Sequence, residues 1–353
     1  MENQGFIREI TEESIAVCEN AETFLQSAMW GEFKSCFGWK SRAFLINWKG
    51  REKLPLLAIS RVLIPGFSFV YIPWGPQTPP DFSAEEKPKV LCELAVKLKT
   101  FFNKKTVFMR FDPPWHGENG VFFSANDAAL YLSAGLKKSG ASIQPPDTVI
   151  VNLTDSTEKI LEAMRKTWRH NISLAQKKGV TVKTGGIQEL EIFYKLLKET
   201  AERDGILVHN YDYYKTLFEK CGRYGLTLRL YTASHEDETI AAIVVLFRGK
   251  YATYLYGASS GSKRNLMPSY ALQWKAMQDA KEAGCQYYDL FGIPPDNDPN
   301  HPMAGLYLFK TGFGGQIIHR PGSWDYPYKP LVYSLFTATE NLRKKIRDRK
   351  KKR

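Results

Sequence analysis

Between Gly305 and Gly315 the chain reads GLYLFKTGFGG, and Lys310 directly follows four apolar or aromatic residues, Leu306 to Phe309. A solvated lysine normally has polar neighbours, and a buried apolar strand normally has no lysine. The run therefore predicts either a strand from which Lys310 snorkels to water or a cation kept for chemistry. Two more sets of residues could act together. Arg165, Arg169 and Asn171 sit in MRKTWRHN, and on one continuous helix the two arginines share a face, as a phosphate clamp or a solvated basic surface. Tyr254 and Tyr256 alternate in YATYLYG and are expected on one side of a strand, either as core or lining a site. Asp289 closes the strand YYDLFG, where it would receive a proton or cap the next turn.

Other chemistries lack their signatures. There is no HExxH, GxxxxGK[ST] or strand-linked GxGxxG; the six histidines are isolated, and the five cysteines form no CxxC pair. No metal site, redox cofactor or disulfide framework is expected, and a reducing cytoplasm fits best. YGASSGSKRNLMPSYALQWKAM places a Gly/Ser-rich loop between a strand and a helix. In acetyl-CoA-dependent N-acyltransferases, that position cradles a pyrophosphate at a helix N-terminus. Here the compact Gly-x-Gly spacing is missing and Leu266, Met267 and Pro268 intrude, so a plain turn fits as well.

These residues need elements to position them. The 353 residues correspond to two domains, and a 43% hydrophobic share is enough for two cores. Strand-like runs (RAFLINW, LPLLAISRVL, SFVYIPWGP, TVFMRF) and the amphipathic PKVLCELAVKLKTFF make a first α/β unit. After the Pro-Pro turn at IQPPDTVIVNLTDS the pattern starts again: a helix from Ser156 to Gly179, two further helices, three strands around an acidic turn, a helix and a strand. The last segment predicts a packed helix carrying Leu331, Leu335, Leu342 and Ile346 at helical spacing. Of the formal charge of +12, the final eleven residues (RKKIRDRKKKR) carry +8, which suits an anionic partner or is only a solvated end. The N-terminus is polar and acidic, unlike a signal peptide, and no run is long and apolar enough to span a membrane.

Taken in order, FLQSAMWGEFK, FVYIPWGP, RFDPP, MRKTWRHNISLAQKKGV, YLYGASS…MPSYALQW, YYDLFGIP and LFKTGFGG resemble the FemABX peptidyltransferases, over almost the whole chain. That resemblance implies an α/β fold of two tandem acetyltransferase-like (GNAT-like) domains with mixed sheets flanked by helices. With no heptad run, the chain is similar to the shorter, FemX-like kind without a coiled-coil arm. The first domain would comprise 1–147 with 319–353, the C-terminal helix returning to it, and the second 148–318. By the same resemblance Phe309 and Lys310 match an essential pair on the aminoacyl-tRNA side. The ammonium would stabilise the oxyanion formed when an amine attacks an ester, and Phe309 would stack on the terminal adenine. Lys34, otherwise a surface lysine, matches a diphosphate ligand, and Tyr256, with Tyr254 beside it, an acceptor-channel tyrosine. His209 and Tyr213 stand where the family has an arginine and a tyrosine, so His209 is a departure, with Arg203 or Arg223 as substitutes.

The expected function is transfer of an amino acid from aminoacyl-tRNA to the stem-peptide side-chain amine of a UDP- or lipid-linked peptidoglycan precursor. The expected enzyme is a cytoplasmic monomer, with aminoacyl-tRNA as co-substrate and the basic tail touching the anionic inner face of the membrane. Two alternatives stay open: an acyl-CoA-dependent N-acyltransferase, and a non-catalytic tRNA- or membrane-surface-binding protein.

Overall fold

The computed structural model describes residues 5–116 and 123–351, with side chains as far as Glu340. The described residues up to Pro146, together with those from His319 on, make one compact unit; Asp147–Ile318 make the other.

In the first unit, β1 (Ile7–Glu13), β2 (Lys40–Trp48), β3 (Lys53–Ile64), β4 (Phe67–Ile72), β5 (Thr106–Phe111), β6 (Lys137–Lys138) and β14 (Trp324–Pro327) form one sheet, ordered β1-β2-β3-β4-β5-β14-β6. Helices α1 (Ala28–Ser35), α2 (Glu86–Leu98), α3 (Ala125–Ser133) and α10 (Pro330–Lys351) accompany it. α2 buries Val90, Leu91, Leu94, Ala95 and Leu98, the stripe that its apolar spacing dictates. Two features bring the C-terminal segment back. Trp324 is buried in this core, and Asp325 makes a two-bond ion pair with Arg110 (2.7 and 2.8 Å).

The second unit holds β7 (Asp147–Asn152), α4 (Thr157–Ala163), α5 (Lys166–Lys177), β8 (Thr181–Gly185), α6 (Leu190–Asp204), α7 (Tyr211–Arg223), β9 (Thr227–His235), β10 (Glu238–Arg248), β11 (Tyr251–Ser259), α8 (Pro268–Glu282), β12 (Tyr287–Asp289), α9 (Ala304–Thr311) and β13 (Gln316–His319). Its sheet runs β8-β9-β10-β11-β12-β7-β13, the order of the first sheet place by place. Each sheet has a parallel pair at the same place, β4–β5 and β11–β12. The sixth place is filled from the C-terminal segment in one unit (β14) and from the unit's own start in the other (β7).

Three expectations are corrected. GLYLFKT is the helix α9, not a strand, and a short apolar run without polar alternation does not declare its period. The helix expected from Ser156 to Gly179 is broken at Met164 and Arg165, whose backbones are extended (ψ 152° and 142°). There the Arg165 N–H leaves the helical ladder for the Gly312 carbonyl (2.9 Å). Finally, α10 does not pack through Leu331 and Leu335: both are exposed, and Tyr333 and Phe336 face inward. The side chains of Leu342, Ile346 and the basic tail lie outside the described residues.

Candidate active site

Lys310 lies in the last turn of α9 with its side chain turned inward, 6% exposed, so it does not snorkel. Its Nζ donates to the carbonyl oxygens of Gly292 (2.8 Å) and Phe291 (3.2 Å) and stands 5.2 Å from the Tyr254 ring centroid. Among the described residues no carboxylate lies within 4.0 Å of it. Burial pulls its pKa down to about 7, against an upward pull from the charge of Asp289.

The two carbonyls are aimed by the turn after β12. Phe291 has φ 57°, a left-handed conformation that an aromatic residue rarely adopts. Its N–H donates to Asp289 Oδ1 (2.8 Å), and the Thr148 hydroxyl on β7 donates to the same oxygen. Asp289 therefore caps the turn, one of its two sequence readings.

Phe309 is half-buried. Its ring meets Tyr270 and Phe313 edge-on, each at 5.2 Å, and its carbonyl accepts a hydrogen bond from Trp168 Nε1 (2.8 Å). A Cβ at Gly312 would stand 2.2 Å from the Trp168 ring, so the first glycine of TGFGG is required by this indole. MRKTW and FKTGFGG are thus two sides of one structure. Arg165 caps α5 with its guanidinium 5.5 Å from the Trp168 ring, whereas Arg169 donates to the Glu162 carbonyl at the end of α4 (2.9 Å). Both arginines stand on the first turn of α5, where the Arg169 N–H donates to the Arg165 carbonyl (3.2 Å), but their guanidinium groups go to different partners.

Tyr254 and Tyr256 are not on one side of β11. Val244 and Val245 pair with Tyr256 and Tyr254, leaving Leu255 as an extra residue that reverses the alternation. The Tyr254 ring lies over Gly257, where a Cβ would stand 1.8 Å from its hydroxyl, so Tyr254 and Gly257 share a face and Tyr256 takes the other. Tyr256 joins a different group. It hydrogen bonds to Tyr213 and meets the Tyr214 ring edge-on at 5.1 Å. His209 stacks on Tyr213 at 3.7 Å, with rings 13° from parallel. Burial pushes Tyr213 and Tyr214 up to about 12 and Tyr256 well above the usual phenol range, so the phenols are neutral donors and acceptors at neutral pH.

Lys34 belongs to the first unit. Its half-buried ammonium stands 5.5 Å from the Trp30 ring and 5.6 Å from the Trp39 ring, and the Arg61 guanidinium is 5.7 Å from that second indole. Burial, with the like charge of Arg61, pulls the Lys34 pKa down to about 8. Two cations around one indole make a corner suited to an anion. A cavity of about 470 Å³ in the same unit, lined among others by Lys137, Lys138, Tyr333 and Thr337, contains none of the residues singled out from sequence.

The Gly/Ser loop before α8 is filled from within: Glu199 accepts from the Gly261 N–H and from the Ser260 hydroxyl (2.9 Å). Arg203 is held by Asp204 and the Ser259 carbonyl. Among the described residues no cluster of three or more His, Cys, Asp or Glu side chains could hold a metal, and no helix is long and apolar enough to cross a membrane. Trp168, Thr148, Phe291 and Arg61 are the residues that sequence reasoning passed over. Only Trp168 carried a signal, a lone indole in the polar helix RKTWRHN.

The FemAB family model matches residues 16–226 and 223–341. A lipid II:glycine glycyltransferase of Staphylococcus saprophyticus is 25% identical over 91% of each chain, and one of Staphylococcus aureus is 23% identical over 88% of this chain and 89% of its own. Among solved structures, FemX superposes with a TM-score of 0.78 at 21% identity, over 93% of this chain and all of that one. A tandem GNAT protein from clavulanic acid biosynthesis superposes with a TM-score of 0.54 at 11% identity, over 90% and 98%. The tandem acetyltransferase-like fold expected from the sequence is therefore observed.

Proposed function

As the chain belongs to the FemAB family, we propose that it transfers an amino acid from aminoacyl-tRNA to the side-chain amine of a peptidoglycan-precursor stem peptide. The observation that carries this reading is Lys310: a buried ammonium held by two carbonyl oxygens, with no carboxylate within 4.0 Å among the described residues. The acceptor amine attacks the ester carbonyl carbon and a tetrahedral oxyanion forms. The bond to the ribose oxygen then breaks, the amide is left, and the proton lost by the amine ends on the ribose oxygen. A desolvated cation beside the oxyanion lowers the barrier by a few kcal/mol. Phe309 lies beside Lys310 to receive the tRNA end, and the His209–Tyr213–Tyr256 group supplies neutral hydrogen-bonding phenols for the acceptor peptide. Lys34 with Arg61 binds the precursor's diphosphate. Names of the relatives support a lipid-linked acceptor, presented at a membrane surface. The step as written calls for no metal or redox cofactor.

The test is incubation with charged tRNA pools and with UDP-linked and lipid-linked precursors, reading the mass added to the stem. Transfer from acyl-CoA without tRNA would replace this reading by the conventional N-acyltransferase. Against that alternative stands Glu199, which occupies the amide and hydroxyl that a pyrophosphate would need.

A further inference from the structure

We propose that the outer face of α10 docks on an anionic lipid bilayer, with Leu331 and Leu335 entering the headgroup boundary and the basic end of the chain lying on the charged surface. The proposal rests on the reading above, which places the acceptor at a membrane, and adds the device that brings the enzyme there.

α10 is anchored through its inner face, where the Tyr333 hydroxyl donates to Asp325 (2.9 Å) and the Phe336 ring lies 5.6 Å from that of Phe108. An ordinary surface helix would use its leucines for this and show polar residues to water. Here the order is reversed: Leu331 is 84% exposed and Leu335, one turn on, 70%. In the sequence Leu342 and Ile346 continue the same helical spacing, and the backbone is helical to Lys351. The last eleven residues then bring nine Lys or Arg.

An exposed apolar stripe running into a dense run of cations matches one kind of surface, an apolar layer under a sheet of negative charge. RNA would satisfy the cations and leave the leucines in water. A protein partner would need a groove and a polyanion in line.

The experiment is co-sedimentation of the full chain with phosphatidylcholine–phosphatidylglycerol vesicles and with pure phosphatidylcholine vesicles. The native protein is expected on the anionic vesicles, less so at high salt, and not on the neutral ones. Leu331→Ser/Leu335→Ser, which leaves every charge in place, should weaken partitioning about tenfold or more. Its melting temperature and its transfer to soluble UDP-linked precursor should be unchanged. Native-like vesicle binding by this variant overturns the proposal. So does a dimer in sedimentation velocity that the double substitution dissolves, which would assign the face to a second copy, or a loss of tRNA binding in its place. Absence of transfer to any precursor by the native protein would instead sink the functional reading and leave the vesicle result standing.

Discussion

The two sheets have the same strand order, and at the end of the fifth strand each places a carboxylate bonded to a hydroxyl from the sixth-strand segment: Asp112 with Ser323 in the first unit, Asp289 with Thr148 in the second. Around that shared link they differ. In the first unit, Asp112 also accepts from the Tyr71 hydroxyl and the Gln144 N–H, and burial raises its pKa against those bonds. The nearby cation, Arg110, is matched by both oxygens of Asp325, and Tyr333 adds a further bond to that carboxylate. In the second unit, Asp289 turns its bond to the Phe291 N–H, and among the described residues the cation it influences, Lys310, meets carbonyl oxygens and a ring. One frame thus carries a closed, neutralised network in one unit and an unmatched buried ammonium in the other. The first is closed on itself; the second is the place to which the proposed reaction is assigned.

The widest gap between them should appear when each cation is disturbed. Asp325→Ala leaves Arg110 buried without its partner and should destabilise the first unit by about 3–5 kcal/mol, seen as a lowered denaturant midpoint. Lys310→Ala removes a buried charge that has no carboxylate within 4.0 Å among the described residues, so the melting temperature should barely move. Single-turnover transfer from charged tRNA should fall by roughly 10²–10³. Lys310→Arg should rescue poorly, since a planar fork cannot reproduce a point donor between two carbonyls. A folded Lys310→Ala protein that transfers at the native rate would remove the lysine from the mechanism.

Much of this frame is legible in the sequence, and the exceptions share a cause. Strands such as Lys40–Trp48 and helices such as Glu86–Leu98 declare themselves because their periodicity is their own. The break at Arg165 does not, because no proline or glycine marks it; a carbonyl from Gly312, far along the chain, takes the N–H. The bulge at Leu255 is likewise decided by the partner strand, so alternation alone put Tyr256 on the wrong side. Lys310 was legible as an anomaly, yet its cradle was not. Asp289 shows as a carboxylate at a strand end, but Thr148 and the left-handed Phe291 acquire meaning only when β7 pairs with β12.

That cradle sharpens the comparison by a smaller effect. Asp289→Asn keeps a side-chain oxygen for the Phe291 N–H but removes the charge that pulls the Lys310 pKa upward. If the ammonium is the working form, native single-turnover rates should fall as pH rises through about 7, because the protonated fraction is lost there. In Asp289→Asn the falling limb should move to lower pH. The rate at neutral pH should drop by up to about tenfold, the loss of protonated fraction when such a limb is displaced by about one pH unit. A rate that instead rises through that range would make Lys310 a base rather than a cation.

The smallest effect belongs to His209, which the resemblance to the FemABX peptidyltransferases sets in the place of an arginine. The imidazole lies flat on Tyr213 at 3.7 Å, a geometry that a guanidinium can also adopt on an aromatic face. His209→Arg should therefore keep the stack while adding a permanent charge and a two-bond donor for phosphate. Calorimetric titration with UDP-linked precursor should show binding tightened about fivefold, roughly 1 kcal/mol, and the gain should shrink at high salt. Unchanged or weaker binding would mean that His209 does not face the diphosphate. The stacked imidazole would then be shaping the peptide's path along Tyr213 and Tyr256.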